Sequence, residues 1–291
     1  MGLRINSNIA AMNAYRNLAT TDKSMKNSLE RLSSGLRINK AADDAAGLSI
    51  SQGLQAQIGG LQVAARNAQD GVNVVQTADG ALTESSAILQ RMRSLAVQAA
   101  NGGSQDSSAQ GAADTEFQQL KSELTRITTA TKFGSQALLG GSYNGAFQVD
   151  SATGTGTQLS VDLTSSNISA ITGGASGISG LDATGLGLGA STVALTSSAS
   201  ATAAIGLLDT AIKGVSTVRA TLGAYQNRFE HTINNINVAV ENLSSSKSAI
   251  TDTDMALEMT NFSKSQILTQ AGTAMLAQAN QASQGVLKLL G

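Results

Sequence analysis

Residues 205–250 read IGLLDTAIKGVSTVRATLGAYQNRFEHTINNINVAVENLSSSKSAI, and the spacing of their apolar side chains decides the fold. Ile205, Leu208, Ile212, Val215, Leu222, Phe229, Ile233, Ile236, Val240, Leu243 and Ile250 follow an alternating three–four step, interrupted only by the polar residues Arg219, Gln226 and Lys247. More than six heptads of such an a/d stripe form the pattern of a coiled-coil strand rather than of a short helix on an ordinary core. At 1.5 Å per residue a helix of this span reaches roughly 70 Å.

A second stripe answers the first. Ile58, Leu61, Ala65, Ala68, Val72, Val75, Leu82 and Leu89 keep the same step, with Asp79 and Ser86 breaking it, and the stripe then drifts to Ile88, Met92, Leu95 and Ala99. After the Asn101–Gly102–Gly103 turn a third helix is predicted from Asp114 through Phe117, Leu120, Leu124 and Ile127. Asp43–Asp44 reads as the N-cap of the 45–100 run, and Asp252/Asp254 as a cap before the last helix. Stripes of this length must be covered, so the arms close as a long antiparallel bundle and the fold class is mainly α.

Between the arms the chain changes character. From Phe133 to Ile212 there is no Lys, Arg or Glu, and 13 of the 30 glycines fall between Gly134 and Gly189. The alternation in Ala146–Val149 and Leu159–Leu163 predicts two short strands of a small β-hairpin. Beyond Gly173 the sequence reads as loop.

Composition removes most chemistry. There is no cysteine, one histidine (His231), no tryptophan and 3% aromatics, so thiolate and multi-histidine metal sites, cysteine nucleophiles and stacking platforms are excluded. A net charge of −1 gives no reason to expect a polyanion, and no cofactor or enzymatic constellation emerges. His231 beside Glu230 reads as a surface histidine, and Gly185–Gly189 lacks the lysine, strand and helix of a phosphate loop. No proline occurs where average usage would place about 15, which suits long uninterrupted helices. No window approaches a membrane span, and basic residues interrupt the amino terminus, so a soluble chain exported without a cleaved signal is expected.

The termini point to self-assembly. Residues 1–40 carry Ile5, Ile9, Met12, Tyr15, Leu18, Met25, Leu29, Leu32 and Leu36, with seven basic residues against two acidic ones, a local +5. Residues 259–291 have only Lys264 and Lys288 as charges, and Leu268, Ala271, Met275, Ala279, Ala282, Val286 and Leu289 mark one face. Pairing of the two terminal helices leaves apolar surface over, and further copies of the chain would cover it. Repeated head-to-tail contacts that fail to close make a helical fibre.

Several motifs carry a family resemblance. Met1–Asn8 (MGLRINSN) resembles the start of bacterial flagellins, and Glu30–Asn39 (ERLSSGLRIN) continuing Ala41–Leu48 (AADDAAGL) is similar to their most recognisable signature. Asp70–Ala78, Leu89–Leu95 and Ala277–Gln281 agree as well, so the likeness covers about residues 1–140 and 200–291. It implies a filament subunit that acts in motility, with residues 1–43 and 251–291 as the inner terminal-helix domain, 44–175 and 200–250 as the rod, and 176–199 as a short variable surface loop. Assembly faces would include Ile5, Ile9, Met12, Leu29, Leu32, Leu268, Met275, Val286 and Leu289.

The same resemblance implies partners: other copies of the chain, an export chaperone, the filament cap, and the animal Toll-like receptor for flagellin. The family's receptor-contact residues match Arg91, Leu95 and Glu116. Surface O-glycosylation of 151–200 would follow from likeness to glycosylated members. The alternative, a hook–filament junction protein, shares the terminal helices, but the internal motifs through Asn101 favour the filament subunit. Two departures stand out: Ser283 where the family often has proline, and Gly134 where asparagine is usual after Lys132–Phe133.

Overall fold

The computed structural model describes residues 8–103, 106–154, 156–171, 180–189 and 193–290. Its elements, in order, are α1 (Ile9–Ser34), α2 (Ala45–Ala100), α3 (Ser107–Ala130), β1 (Lys132–Phe133), β2 (Gln136–Ala137), β3 (Ser142–Gln148), β4 (Gln158–Thr164), α4 (Ser165–Ile171), α5 (Ser198–Thr251) and α6 (Met255–Leu290). Two compact units divide the chain: residues 59–240, and residues 1–58 with 241–291.

In the 59–240 unit the α2 and α5 stripes face each other antiparallel. Arg93 meets Asp209 at 2.6 Å, Asp79 meets Arg219 at 2.8 Å, and Gly71 lies against the Phe229 ring. Ala68, Val72, Val75, Leu82, Leu89 and Met92 are buried on one side, and Leu208, Val215, Leu222, Phe229 and Ile236 on the other. The two seam positions that break the apolar pattern, Asp79 and Arg219, are therefore each other's partners across the seam. Asp79 keeps the Arg219 guanidinium charged, chiefly through the side-chain hydrogen bond. Arg93 does the same for Asp209, holding its carboxyl below the usual range.

The α2 stripe drifts because α2 carries a second neighbour. Helix α3, capped by the Asp106 carboxylate accepting from the Ala109 N–H at 2.7 Å, buries Ala113, Phe117 and Leu124. It begins seven residues before Asp114, the start read from the sequence, because the polar Ser107–Gly111 turn gives no apolar signal. Gln110 Nε2 ties its first turn to the Ala99 carbonyl at 3.1 Å.

The expected hairpin is present: β3 and β4 pair antiparallel over the full strands, from Ser142 with Thr164 to Gln148 with Gln158. Tyr143, Leu159, Val161 and Leu163 turn into the core, as period-two alternation requires. A second, very short hairpin joins β1 to β2 through Gly134, whose φ of 60° lies in the left-handed region. Asparagine and glycine are the two residues that tolerate this conformation, so Gly134 keeps the turn.

The 176–199 segment needs a correction. Residues 180–189 and 193–197 contain no helix or strand, yet Leu181, Ala183, Leu186, Leu188, Val193 and Leu195 are buried in the core of this unit. Asp182 Oδ1 accepts from the Gly185 N–H at 2.9 Å, and Leu195 N–H donates to Asp114 Oδ1 at 2.7 Å. The described part is thus a core-lining strap rather than a surface loop, and its turn spans residues 183–187. Residues 176–179 and 190–192 lie outside the described residues.

Candidate functional site

The other unit is built on α1 and α6. Glycine 35 ends α1 in the left-handed region (φ 73°), its N–H donating to the Arg31 carbonyl at 2.8 Å, as expected of a C-cap glycine. At the far end, Asp254 Oδ1 accepts from the Ala256 and Leu257 N–H groups at 2.9 and 3.0 Å and starts α6. This is the cap expected from the sequence.

Between these caps the linkers are tied together. Arg37 donates its backbone N–H to the Thr251 carbonyl at 2.7 Å and its guanidinium to the Ile250 carbonyl at 2.6 Å; the Thr253 N–H returns to the Gly35 carbonyl at 3.0 Å. Ile38 is buried. Asp43 accepts the Lys40 and Asn39 backbone N–H groups at 3.0 and 3.1 Å, and these bonds hold its carboxyl below the ordinary range. Asp44 caps α2 through the Gly47 N–H at 2.9 Å. A Cβ on Gly47 would stand 2.5 Å from Asp44 Oδ2 and 2.8 Å from Ile38 Cδ1, so the close approach requires glycine there. The 34–48 motif is thus a list of hydrogen-bonding and close-packing duties.

Beyond the linkers α1 and α6 lie antiparallel. Asn8 Nδ2 donates to the Ala279 carbonyl at 2.9 Å, Leu18 sits against Gly272, and Arg31 faces Glu258 at 3.8 Å. The inward side chains of α1 are Ala11, Ala14, Leu18, Thr21, Met25, Ser28 and Leu32; those of α6 are Glu258, Phe262, Ser265, Thr269, Gly272, Leu276 and Ala279. Both sets step by three and four, the spacing of a coiled-coil seam.

The face of α6 read from hydropathy is a different one. Leu268, Ala271 and Met275 point outward, with Met275 64% exposed, and among the described side chains of that face Ala279 alone is shared with the inner seam. The reason is composition: small and polar residues outnumber the large apolar ones (Leu18, Met25, Leu32, Phe262 and Leu276) in the inner seam, so apolar periodicity finds the outer face instead. Glu258, Ser28 and Ser265 are buried polar residues that this reading missed; their own heptad spacing is the signal that marks them.

On α1, Ile9, Met12, Tyr15 and Leu29 are exposed as well, Met12 at 61%, while Leu32 is half-buried in the seam. Ile5 and the side chains of Val286 and Leu289 lie outside the described residues. Helix α6 continues without interruption past Ser283. The pair thus carries more large apolar groups on its outside than in its seam, an arrangement that marks an interaction surface.

Of the three residues matched to receptor contact, two meet. Arg91 Nη2 lies 2.7 Å from Glu116 Oε1 on the exposed surface between α2 and α3. Leu95 is 3% exposed and belongs to the core of this unit. His231 is exposed on α5, as expected. Among the described residues no helix is long and apolar enough to cross a membrane.

The bacterial flagellin N-terminal helical region matches residues 5–144, and the bacterial flagellin C-terminal helical region matches residues 205–290. The chain belongs to the bacterial flagellins. It is 46% identical to the flagellin of Halalkalibacterium halodurans over 98% of this chain and 99% of the relative, and 45% identical to that of Bacillus subtilis over 99% and 100%. It is also 42% identical to the flagellar filament 33 kDa core protein of Treponema phagedenis, over 98% of this chain and 99% of that one.

This flagellin is therefore a structural subunit of the flagellar filament, an extracellular homopolymer that serves motility. The flagellins are a structural family, not an enzymatic one. The N-terminal match takes in α1 and the 34–48 linker motif, and the C-terminal match takes in α6.

Proposed function

We propose that the α1·α6 pair is the part of this flagellin that makes the innermost contacts of the filament, with residues 1–43 and 251–291 as the inner layer and 44–175 and 200–250 as the rod around it. The observation that carries this reading is the outward row of Ile9, Met12, Tyr15, Leu29, Ile267, Leu268 and Met275 on a helix pair whose own seam is mostly small and polar. Burying a methionine or leucine contributes about 1.5–3 kcal/mol, so this row is a sufficient source of assembly energy once neighbouring copies cover it. Ile5, Val286 and Leu289 belong to the same proposed surface.

Truncation tests it. A chain ending at Glu258 retains the complete 59–240 unit and is expected to stay in the supernatant after a shift to high salt, where the full chain pellets as filaments. Pelletable filaments from the truncated chain would refute the assignment.

Export without a cleaved hydrophobic signal, an export chaperone on the carboxyl-terminal helix and assembly beneath a filament cap belong to the same proposal. They are supported by an α6 that leaves its apolar side uncovered before assembly. Recognition of the monomer by the Toll-like receptor is proposed at the exposed Arg91–Glu116 pair. Arg91→Ala is expected to reduce signalling by the monomer in receptor-reporter cells while leaving the Leu95 core intact. Unchanged signalling would remove Arg91 from that role.

A further inference from the structure

The Asn101–Gly102 turn takes no part in either the assembly surface or the core, yet its chemistry is specific. We infer that Asn101 is a site of spontaneous deamidation in this flagellin. The inference does not depend on the assembly proposal above.

Asparagine amides are among the chemically labile groups of proteins. The reaction requires the next residue's backbone nitrogen to reach the asparagine Cγ, and a following glycine removes the Cβ that resists the necessary rotation. Two Asn–Gly pairs occur in the chain, Asn101–Gly102 and Asn144–Gly145. They stand in opposite settings.

Asn101, Gly102 and Gly103 are all exposed, immediately after the last turn of α2. The Asn101 carboxamide folds forward along the chain: its Oδ1 stands 3.7 Å from where a Cβ on Gly103 would be. The Gly102 N–H is held in a three-residue turn to the Ala100 carbonyl at 3.0 Å, outside the helical ladder. Two successive glycines give this segment the torsional freedom the ring closure needs.

Asn144–Gly145 lies inside β3, with Asn144 opposite Asp162 and Gly145 opposite Val161. Rotation there would break the ladder, and an aspartate at 144 would face Asp162 directly across the strands, an unfavourable like-charge pair. The hairpin therefore holds one Asn–Gly pair in a strand ladder, while the other lies in an exposed turn.

The step balances without a cofactor. The Gly102 backbone nitrogen gives its proton to solvent hydroxide and bonds to Asn101 Cγ; the Cγ–Nδ2 bond breaks, the departing nitrogen takes a proton from water and leaves as ammonia, hydroxide is regenerated, and a succinimide remains. Water then opens the ring at either carbonyl, leaving aspartate or isoaspartate at 101. Either product places a new carboxylate at the negative end of the α2 dipole, where it is disfavoured. Isoaspartate also lengthens the backbone between Ala100, whose carbonyl accepts from Ser198 Oγ at 2.6 Å, and the α3 cap at Asp106.

The test is peptide mass mapping of the full chain, as monomer and as filament, during incubation at mildly alkaline pH. In the monomer the peptide holding Asn101 is expected to exchange NH for O progressively and to resolve into two isomeric products, while the Asn144 peptide stays unmodified. Gly102→Ala, whose Cβ would meet Ser198 Cβ at an ordinary 3.5 Å, is expected to lose most of the conversion with its helices intact. Asn101→Gln is expected to lose it entirely. Conversion at Asn144 ahead of Asn101, or conversion of the Gly102→Ala chain at the unsubstituted rate, would overturn the assignment.

Discussion

Phe229→Ala is expected to lower the unfolding free energy of the 59–240 unit by about 3–5 kcal/mol. The Phe229 ring is fully buried, and its niche is shaped on three sides. A Cβ at Gly71 would lie 2.5 Å from the ring's Cζ, so α2 approaches α5 here only because residue 71 has no side chain. The Phe147 ring of β3 meets Phe229 edge-on, with centroids 5.5 Å apart and planes at 90°, a geometry that contributes about 0.5–1.5 kcal/mol beyond burial.

Alanine leaves a cavity between two long helices whose flanking side chains Leu222, Ile236 and Val72 are already packed. Helices held in register by Asp79–Arg219 and Arg93–Asp209 cannot collapse into it without giving up those contacts. Urea denaturation followed by circular dichroism checks this: the midpoint should fall well below that of the unsubstituted chain. At about 2–4 °C per kcal/mol for a chain of this class the thermal midpoint should drop visibly too. An unchanged midpoint would mean that the α2·α5 seam is not the core of this unit.

How much of this was legible in the sequence varies along the chain for physical reasons. The α5 stripe, its α2 counterpart and the β3–β4 hairpin were readable because large apolar side chains recur among their buried positions at a fixed period. Even the polar interruptions carry information: Asp79 and Arg219 occupy seam positions on different helices and satisfy each other, and Lys247 reaches Gln55 Oε1 at 2.5 Å. The 180–189 and 193–197 strap was read as loop because its leucines are buried by a backbone with no period, which no pattern of spacing predicts.

On α6 hydropathy marks the side expected to meet other copies and not the seam with α1. Its period is clear, but hydropathy points to the side that monomer folding leaves uncovered. Within one chain Ser265, Thr269 and Gly272 face α1, and Leu268 and Met275 face outward. An apolar stripe marks what must be buried, and in a subunit of a polymer part of that burial lies between copies. Of the receptor residues, Arg91 and Glu116 were named only through the family resemblance and their pairing came from the structure, whereas Leu95 fitted a seam position and lies in the core.

The second large effect follows from that outward face. Leu268→Glu combined with Met275→Glu places two carboxylates one heptad apart on the outer side of α6, where both native side chains are exposed. Exposed substitutions of this kind change monomer stability by only about 0.5 kcal/mol. In an assembled interface an uncompensated buried charge costs about 3–5 kcal/mol, so the critical concentration for assembly should rise by about 100-fold or more. Charge on the inner seam would instead unfold the pair, so the location of the substitutions separates assembly from folding.

The most direct measurement of the central claim is therefore sedimentation of this doubly substituted chain after a shift to high salt, beside the unsubstituted chain at equal concentration. The helical content and thermal midpoint of the two monomers should agree, the unsubstituted chain should pellet as filaments, and the doubly substituted chain should remain in the supernatant. Filaments of the substituted chain forming at the unsubstituted critical concentration would contradict the assignment of this face to subunit contacts.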